Sequence, residues 1–369
     1  MNIAILGGSN GGYATAADLA LAGHRVRLWR RDAAGLAPLL NGGTLTLVAE
    51  ERQGAARLDR ATADVGEALE GAEVVIVPLP ATSHADVAER LKGRLTGKEI
   101  VLLTPGTLGS YVIARALARA GAALPFAFAE TGTLPFLARK TGPATVAAPV
   151  RAANLPVGVF PASRAKATLE RVRALFPATR ACVDALDAAL TNVGPVIHPP
   201  LVLVNAAAID GGRFDIHAAG TSPSARRLID AVDGERVAAR RGIGYPAPHY
   251  DMATTYYDEA RAAEGLYGAG ARAKLVASGL WSEVLTYEHR YVSEDAALGL
   301  TLLESAGRMA GVPTPAISGL LGVFGALLGR DLTGGRALDH LGLGDLTRRE
   351  VVTFLHEGWD AHTWSRVIR

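Results

Sequence analysis

Three groups of residues in this chain have types and spacings that could do chemistry. The first is His198, in the run Thr191–Pro200 (TNVGPVIHPP). A free imidazole titrates near pH ~6.5, which suits general acid–base work. Pro199 and Pro200 fix the backbone behind it, and on sequence grounds no helix is expected before about Pro200. The second group is Arg290 and Asp295, in EHRYVSED (288–295). Ser293 reads as an N-cap and Asp295 as a first-turn carboxylate, favoured in its ionised form by the helix dipole. Arg290 falls at the end of the preceding helix. A gap of five residues does not share one face of an α-helix, but across a helix–turn–helix corner both side chains can enter one pocket.

The third group opens the chain: NIAILGGSNGGYA (2–14). A strand feeds a glycine-rich turn and then a helix. Gly7 and Gly12 match the outer glycines of a dinucleotide fingerprint, and Ser9 stands at the middle one. Gly7, Gly8, Ser9, Asn10, Gly11 and Gly12 are therefore read as cofactor-binding, with the helix N–H groups on the phosphates. The second strand ends at Trp29, and Arg30 and Arg31 stand where an acid would bind the ribose of NAD. Their guanidinium groups suit a 2′-phosphate, so NADP(H) is favoured; Asp32 keeps NAD(H) open. Pro80, at the carboxyl end of another strand, is placed with the cofactor residues, and His84 is read as a helix start. His217, His249 and His289 lack metal-ligand spacing, and no metal is assigned.

The elements that must position these groups change character along the chain. Up to about residue 185, short apolar runs alternate with helical patterns. Ile3–Leu6, Val26–Trp29, Glu73–Leu79 and Glu99–Thr104 read as strands, with Pro125–Ala129 a further candidate; Gly11–Ala22 and Gly109–Ala120 read as helices. That alternation predicts a parallel sheet covered on both faces. Beyond about residue 190 the periodicity is helical: Pro223–Arg241, Ala271–His289, Glu294–Ala310, Pro315–Leu328 and Arg348–His356. The expected division is 1–188, a dinucleotide-binding Rossmann domain, and 189–369, a helical substrate and catalytic domain. Small ligands favour the cleft such a pairing creates.

Composition sets the limits. The chain has 369 residues, 49% hydrophobic and 20% charged, which excludes disorder and coiled coil. The single cysteine, Cys182, excludes an intramolecular disulfide framework and a cysteine-rich zinc site. A net charge of +2 implies no broad basic surface for nucleic acid. The uncharged stretch Met309–Gly329 carries Pro313 and Pro315 near its start, so a buried helix is expected, with no membrane span and a cytoplasmic location. Its glycines, Gly319, Gly322 and Gly325, permit close helix packing, whether internal or across a homodimer.

The glycine turn, the Glu130–Arg139 stretch (ETGTLPFLAR), the run around His198 and the Arg290–Asp295 run occur in the order found in the octopine/nopaline (opine) dehydrogenase family, which this chain resembles over nearly its whole length. The resemblance implies an α/β Rossmann-type parallel-sheet domain followed by an all-α opine dehydrogenase-like domain. It implies reductive condensation of an amino acid amine with a 2-keto acid, using NADPH or NADH. It makes His198 the acid/base, Asp295 its orienting partner, Arg290 a carboxylate clamp and Thr133 a residue of the substrate cleft. Ser9 in the glycine turn, and Ala138 where some relatives carry a cysteine, depart from the family pattern. Two rivals remain. A 2-keto or 2-hydroxy acid reductase of the glycerol-3-phosphate or ketopantoate reductase type would use a lysine, and Lys274 is the one available in the second half. A non-catalytic nucleotide-binding sensor would bind NADPH without turnover.

Overall fold

The computed structural model describes residues 1–40 and 43–368. Its strands run in chain order β1 (Asn2–Leu6), β2 (Arg25–Trp29), β3 (Thr44–Val48), β4 (Gly54–Arg57), β5 (Arg60–Thr62), β6 (Val74–Val77), β7 (Ile100–Leu103), β8 (Ala127–Thr131), β9 (Phe136–Gly142), β10 (Thr145–Arg151), β11 (Leu155–Phe160), β12 (Thr179–Ala181), β13 (Arg213–Asp215) and β14 (Ser282–Val284). The main sheet has the order β12-β11-β8-β7-β6-β1-β2-β5. Its pairs are parallel except β8 with β11. The apolar runs β6 (VVIV) and β7 (IVLL) are buried throughout, as a sheet covered on both faces requires. Chain order reverses on either side of β1, which opens a crevice at the carboxyl ends of β1 and β6.

The helices that position the site are α1 (Asn10–Leu21), α2 (His84–Leu91), α3 (Gly109–Arg119), α4 (Ala185–Ala189), α5 (Gly194–Val204), α6 (Pro223–Ile243), α7 (Ala271–Ala277), α8 (Thr301–Ala310), α9 (Pro315–Leu328) and α10 (Arg348–Glu357). No helix among the described residues is long and apolar enough to cross a membrane.

Several elements differ from the sequence-based expectation. A second sheet, β4-β3-β10-β9, packs over α1. Its strands are short and mixed in polarity, so no long apolar run marks them. Pro199 and Pro200 lie inside α5 rather than before it; lacking N–H groups, each forgoes one intrahelical hydrogen bond, to the carbonyls of Pro195 and Val196. Ala271–His289 is not one helix: α7 ends at Ala277, Gly279 turns the chain at φ +64°, and β14 pairs with β13. Ser293 is not an N-cap. A π-helical segment, Tyr291–Leu300, begins directly after Arg290 and runs into α8. α9 is buried only along the stripe Ile317, Leu320, Leu321 and Phe324, while Val323 and Leu327 face outward. Finally, the carboxyl-terminal segment returns to the first half: Phe354 and Trp364 pack on Tyr111 and Phe160, and Trp359 on Phe128.

Candidate active site

The glycine turn shows why each position holds its residue. Gly7 has φ +146°, and a Cβ there would stand 2.7 Å from Leu79 Cδ2. A Cβ on Gly12 would lie 2.0 Å from the Gly7 carbonyl oxygen, so the helix start can approach the turn only as glycine. Ser9, by contrast, is extended (φ −70°, ψ 176°) and needs no glycine. Its hydroxyl accepts from Gly12 N at 3.1 Å and donates to Pro78 O at 2.8 Å, capping α1 and tying the turn to the end of β6. The N-terminal amides of α1 thus face a groove lined by Ser9, Asn10, Gly11 and Pro80, a cradle that fits a dinucleotide pyrophosphate.

That groove is one end of a cavity of about 360 Å³ between the two halves of the chain. Thr133, His198, Arg290 and Asp295 line the other end. His198 Nδ1 lies 2.7 Å from Asp295 Oδ2. With the proton on Nδ1 the ring donates to the carboxylate and leaves Nε2 for the cavity. The Tyr291 ring stacks on the imidazole at 3.7 Å and 15°, fixing its plane. His217 Nε2 lies 3.2 Å from the Tyr291 hydroxyl. The helices carrying His198 and Asp295 approach closely because Cβ atoms are missing at the contact. A Cβ on Gly299 would stand 2.1 Å from Pro195 Cγ, and one on Gly194 2.6 Å from Asp295 Oδ1.

Arg290 and Asp295 meet by a route the sequence did not suggest. They belong to the start of one helix, and its i→i+5 bonding brings residues five apart onto nearly one face. Arg290 Nε pairs with Glu294 at 3.2 Å, which leaves the outer guanidinium nitrogens for the cavity. Glu294 Oε1 also accepts from Ala81 N at 2.8 Å, next to Pro80. Arg336, buried, donates to Ala81 O and Thr107 O, both at 2.9 Å, and bolts the helical half to the loops after β6 and β7. His84 begins α2 and accepts from Arg336 at 3.1 Å, behind the cavity wall.

Burial, then the nearby Arg290 charge, holds the His198 imidazole well below its usual range. Burial pushes the Asp295 carboxyl up to about 7, with Arg290 opposing. Both shifts disfavour the charged forms, and the 2.7 Å bond makes the two groups titrate together. Burial lowers His217 to about 3, so it stays neutral and serves through its hydrogen bond.

Arg30 and Arg31 do not line the cavity. Arg30 lies under the glycine turn, where its Cδ would stand 2.7 Å from a Cβ on Gly8, and donates to Gly35 O at 3.1 Å and Asp32 at 3.1 Å. Arg31 is exposed. Several site residues carried no readable signal. Lys140, on β9, donates to Gly8 O at 2.6 Å and sits over the Tyr13 ring, clamping the glycine turn from the second sheet. Arg139, Trp281 and Glu283 line the cavity beside His217, Tyr256 and Tyr267. Arg139 belongs to a stretch singled out by its resemblance, with no role attached to it. Thr133 Oγ1 and Tyr267 OH are 2.6 Å apart. Lys274 pairs with Glu50 on the surface, away from this cavity.

Over residues 181–328 the chain matches the family described as NAD/NADP octopine/nopaline dehydrogenase, alpha-helical domain. Over residues 2–108 it matches the NAD-dependent glycerol-3-phosphate dehydrogenase N-terminus. An opine dehydrogenase of Arthrobacter sp. (strain 1C) is 30% identical over 349 residues, 93% of this chain and 96% of that protein. An octopine dehydrogenase solved with NADH and pyruvate has a TM-score of 0.71 at 18% identity, covering 95% of this chain and 97% of its own. A yersinopine dehydrogenase with NADP+ bound has a TM-score of 0.66 at 15% identity, covering 98% and 99%.

Proposed function

The chain belongs to the opine dehydrogenase family, and from that premise we propose that its cavity joins the amine of an amino acid to a 2-keto acid, with His198, Asp295, Arg290 and Thr133 as the substrate-facing residues. The protein is an NAD(P)-dependent oxidoreductase of the opine dehydrogenase type. A bound nicotinamide supplies the hydride. His198 Nε2 gives or takes the proton at the bridging nitrogen or the carbonyl oxygen, and Asp295 holds the ring and stabilises its charged form. Arg290 forks the carboxylate of the keto acid. Thr133, oriented by Tyr267, borders the reacting atoms. The observation that carries this reading is the 2.7 Å His198–Asp295 bond, set beside Arg290 in a cavity that also reaches the start of α1.

The test is NAD(P)H oxidation with a panel of 2-keto acids, each with and without amino acids. Amine-dependent turnover is the expected result. Equal turnover without amine points to a keto acid reductase, and tight NADPH binding with no turnover points to a sensor.

NADP(H) is the favoured cofactor. Asp32, the acid nearest the end of β2, spends its carboxylate on Ala34 N, Gly35 N and Arg30, at 3.0, 3.2 and 3.1 Å. That leaves it little capacity for ribose hydroxyls, while Arg31 is exposed to meet a phosphate. A KM for NADH well below that for NADPH would reverse this preference. Residues 1–188 form the cofactor unit and 189–369 the catalytic unit, with the last segment of the chain packed back on the former. A homodimer through the outward face of α9, tested by sedimentation, fits the exposed Val323 and Leu327. The cytoplasm, where the reduced cofactor is at hand, is the proposed location.

A further inference from the structure

The product of joining an amino acid to a 2-keto acid carries two carboxylates, yet the site described above assigns only one guanidinium. Arg139 is a second. It projects from β9 into the same cavity, one residue after Ala138, and lies with its guanidinium carbon 4.6 Å from the centroid of the Trp281 ring. Its Nη2 lies 3.1 Å from Glu283 Oε1, and its side chain is about one-quarter exposed (23%), so the cation is open to the cavity. Glu283 comes from β14, the short strand that replaces the expected long helix there.

Arg139 and Arg290 line the same cavity as His198, and the charge of each acts on His198 and on the Tyr291 hydroxyl. They differ in what holds them. Arg290 is braced by Glu294, which in turn accepts from Ala81 at the cofactor edge. Arg139 is braced by Trp281 and Glu283, on the side of the cavity formed by β14 and the residue before it. The keto acid supplies the carbon that takes the hydride and so must lie nearest the cofactor edge, with Arg290. The amino acid comes from the other side.

We propose that Arg139 and Glu283 form the amino-acid subsite. The Arg139 guanidinium receives the α-carboxylate, and Glu283 receives the α-ammonium as the substrate enters. A guanidinium beside a carboxylate is the charge complement of a zwitterion, and Trp281 keeps the guanidinium plane fixed for a two-point contact. The assignment rests on the reading of this cavity as the opine-forming site.

The test compares amino acids with the amines that lack their carboxylate: L-phenylalanine with 2-phenylethylamine, L-leucine with 3-methylbutylamine, L-arginine with agmatine. Pyruvate and NADPH are held constant, and the pair with the best turnover is used. Arg139→Met is expected to raise the KM for the amino acid at least 50-fold. The KM values for the matching amine and for pyruvate, and the Kd for NADPH, stay within threefold. Arg139→Lys is expected to recover part of the loss. Glu283→Gln is expected to raise the KM for the amine at least tenfold, because the ammonium loses its partner. A rise in the pyruvate KM for Arg139→Met, with the amino acid unaffected, would overturn the assignment while leaving the cavity as the active site. Equal losses with amino acid and amine would reduce Arg139 to a structural role and also overturn it. Amine-independent turnover by the unaltered enzyme would remove the reading on which the subsite rests.

Discussion

Replacing Asp295 by asparagine probes the proposed His198–Asp295 acid/base pair with the least disturbance. The amide is nearly isosteric, so the packing of Asp295 against Gly194 and the hydrogen bond to His198 can both persist. What is lost is the charge. An imidazolium and a carboxylate with charge centres about 4 Å apart attract by about 4 kcal/mol at an effective dielectric of 20. That corresponds to roughly a thousandfold in the stability of the protonated ring, and general acid catalysis realises part of it, so kcat should fall by about 10²–10³. The pH dependence should change as well. Reduction of a C=N bond consumes a proton that the pair must hold, so the forward rate falls as pH rises through the pair's apparent pKa. Oxidation falls as pH drops through the same value. Burial places the Asp295 carboxyl at about 7, and the pair titrates as a unit, so both limbs belong near neutral pH. In the variant the amide cannot titrate, and the limb near 7 should vanish. The assay is kcat and kcat/KM in both directions from pH 5.5 to 9, with NADPH affinity by fluorescence titration. A variant that keeps a third or more of kcat with an unchanged pH profile would refute the reasoning, as would equal losses in kcat and NADPH affinity.

Three further perturbations address other parts of the site. Gly12→Ala places a methyl 2.0 Å from Gly7 O and must push the start of α1 away by more than about 1 Å. Two charge-assisted hydrogen bonds lost at about 1.5–3 kcal/mol each weaken NADPH binding at least 100-fold; Ser9→Gly, where the backbone is unstrained, should cost less than about threefold. Gly299→Ala, 2.1 Å from Pro195 Cγ, separates the helices carrying His198 and Asp295, so kcat should drop with NADPH affinity retained, and a fall in affinity alone would contradict this. Asp184, the buried N-cap of α4, whose carboxylate accepts from Asp187 N, is pushed up to about 7 by burial, above its unfolded value of 3.8. Between those values the native carboxyl keeps a proton that the unfolded one has released, so stability falls by about 1.4 kcal/mol per pH unit as pH rises towards 7. Asp184→Asn keeps the helix cap and removes that slope, so its melting temperature relative to the unaltered protein should rise between pH 5 and 7; a constant difference would show that Asp184 does not set it.

What the sequence disclosed depended on whether a signal was local. β1, the glycine turn and α1 were legible because strand period, turn chemistry and helix start follow one another within about twenty residues. His198 was legible by its proline-flanked run, and its partners by their resemblance to a family. The second sheet was not legible. β3, β4, β9 and β10 are short, and their stability comes from pairing across gaps of up to about a hundred residues. Arg139 and Lys140 were lost with it, since a strand's alternation sends neighbours to different surroundings: Arg139 enters the cavity, and Lys140 clamps the glycine turn. Glu283 and Trp281 were hidden by a helical pattern that Gly279 ends. The aromatic cluster around Tyr111 was invisible because its partners lie some 240 residues away in the chain.

The π-helical segment explains how one stretch of chain can reach both His198 and the loop after β6, as the proposed function requires. In an α-helix five residues advance about 140° beyond a full turn, so Arg290 and Asp295 would point to different sides. With i→i+5 bonding they share a side with Glu294. Arg290 then faces the cavity, Asp295 holds His198, and Glu294 joins Arg290 to Ala81 at the cofactor edge. One turn of irregular helix therefore fixes Arg290, the proposed carboxylate clamp, the His198–Asp295 pair and the loop after β6 in a single relation. Arg336 holds that relation from behind, through Ala81 O and Thr107 O. Ala81 thus ties the loop after β6 to the helical half twice, through its N–H to Glu294, which pairs with Arg290, and through its carbonyl oxygen to Arg336.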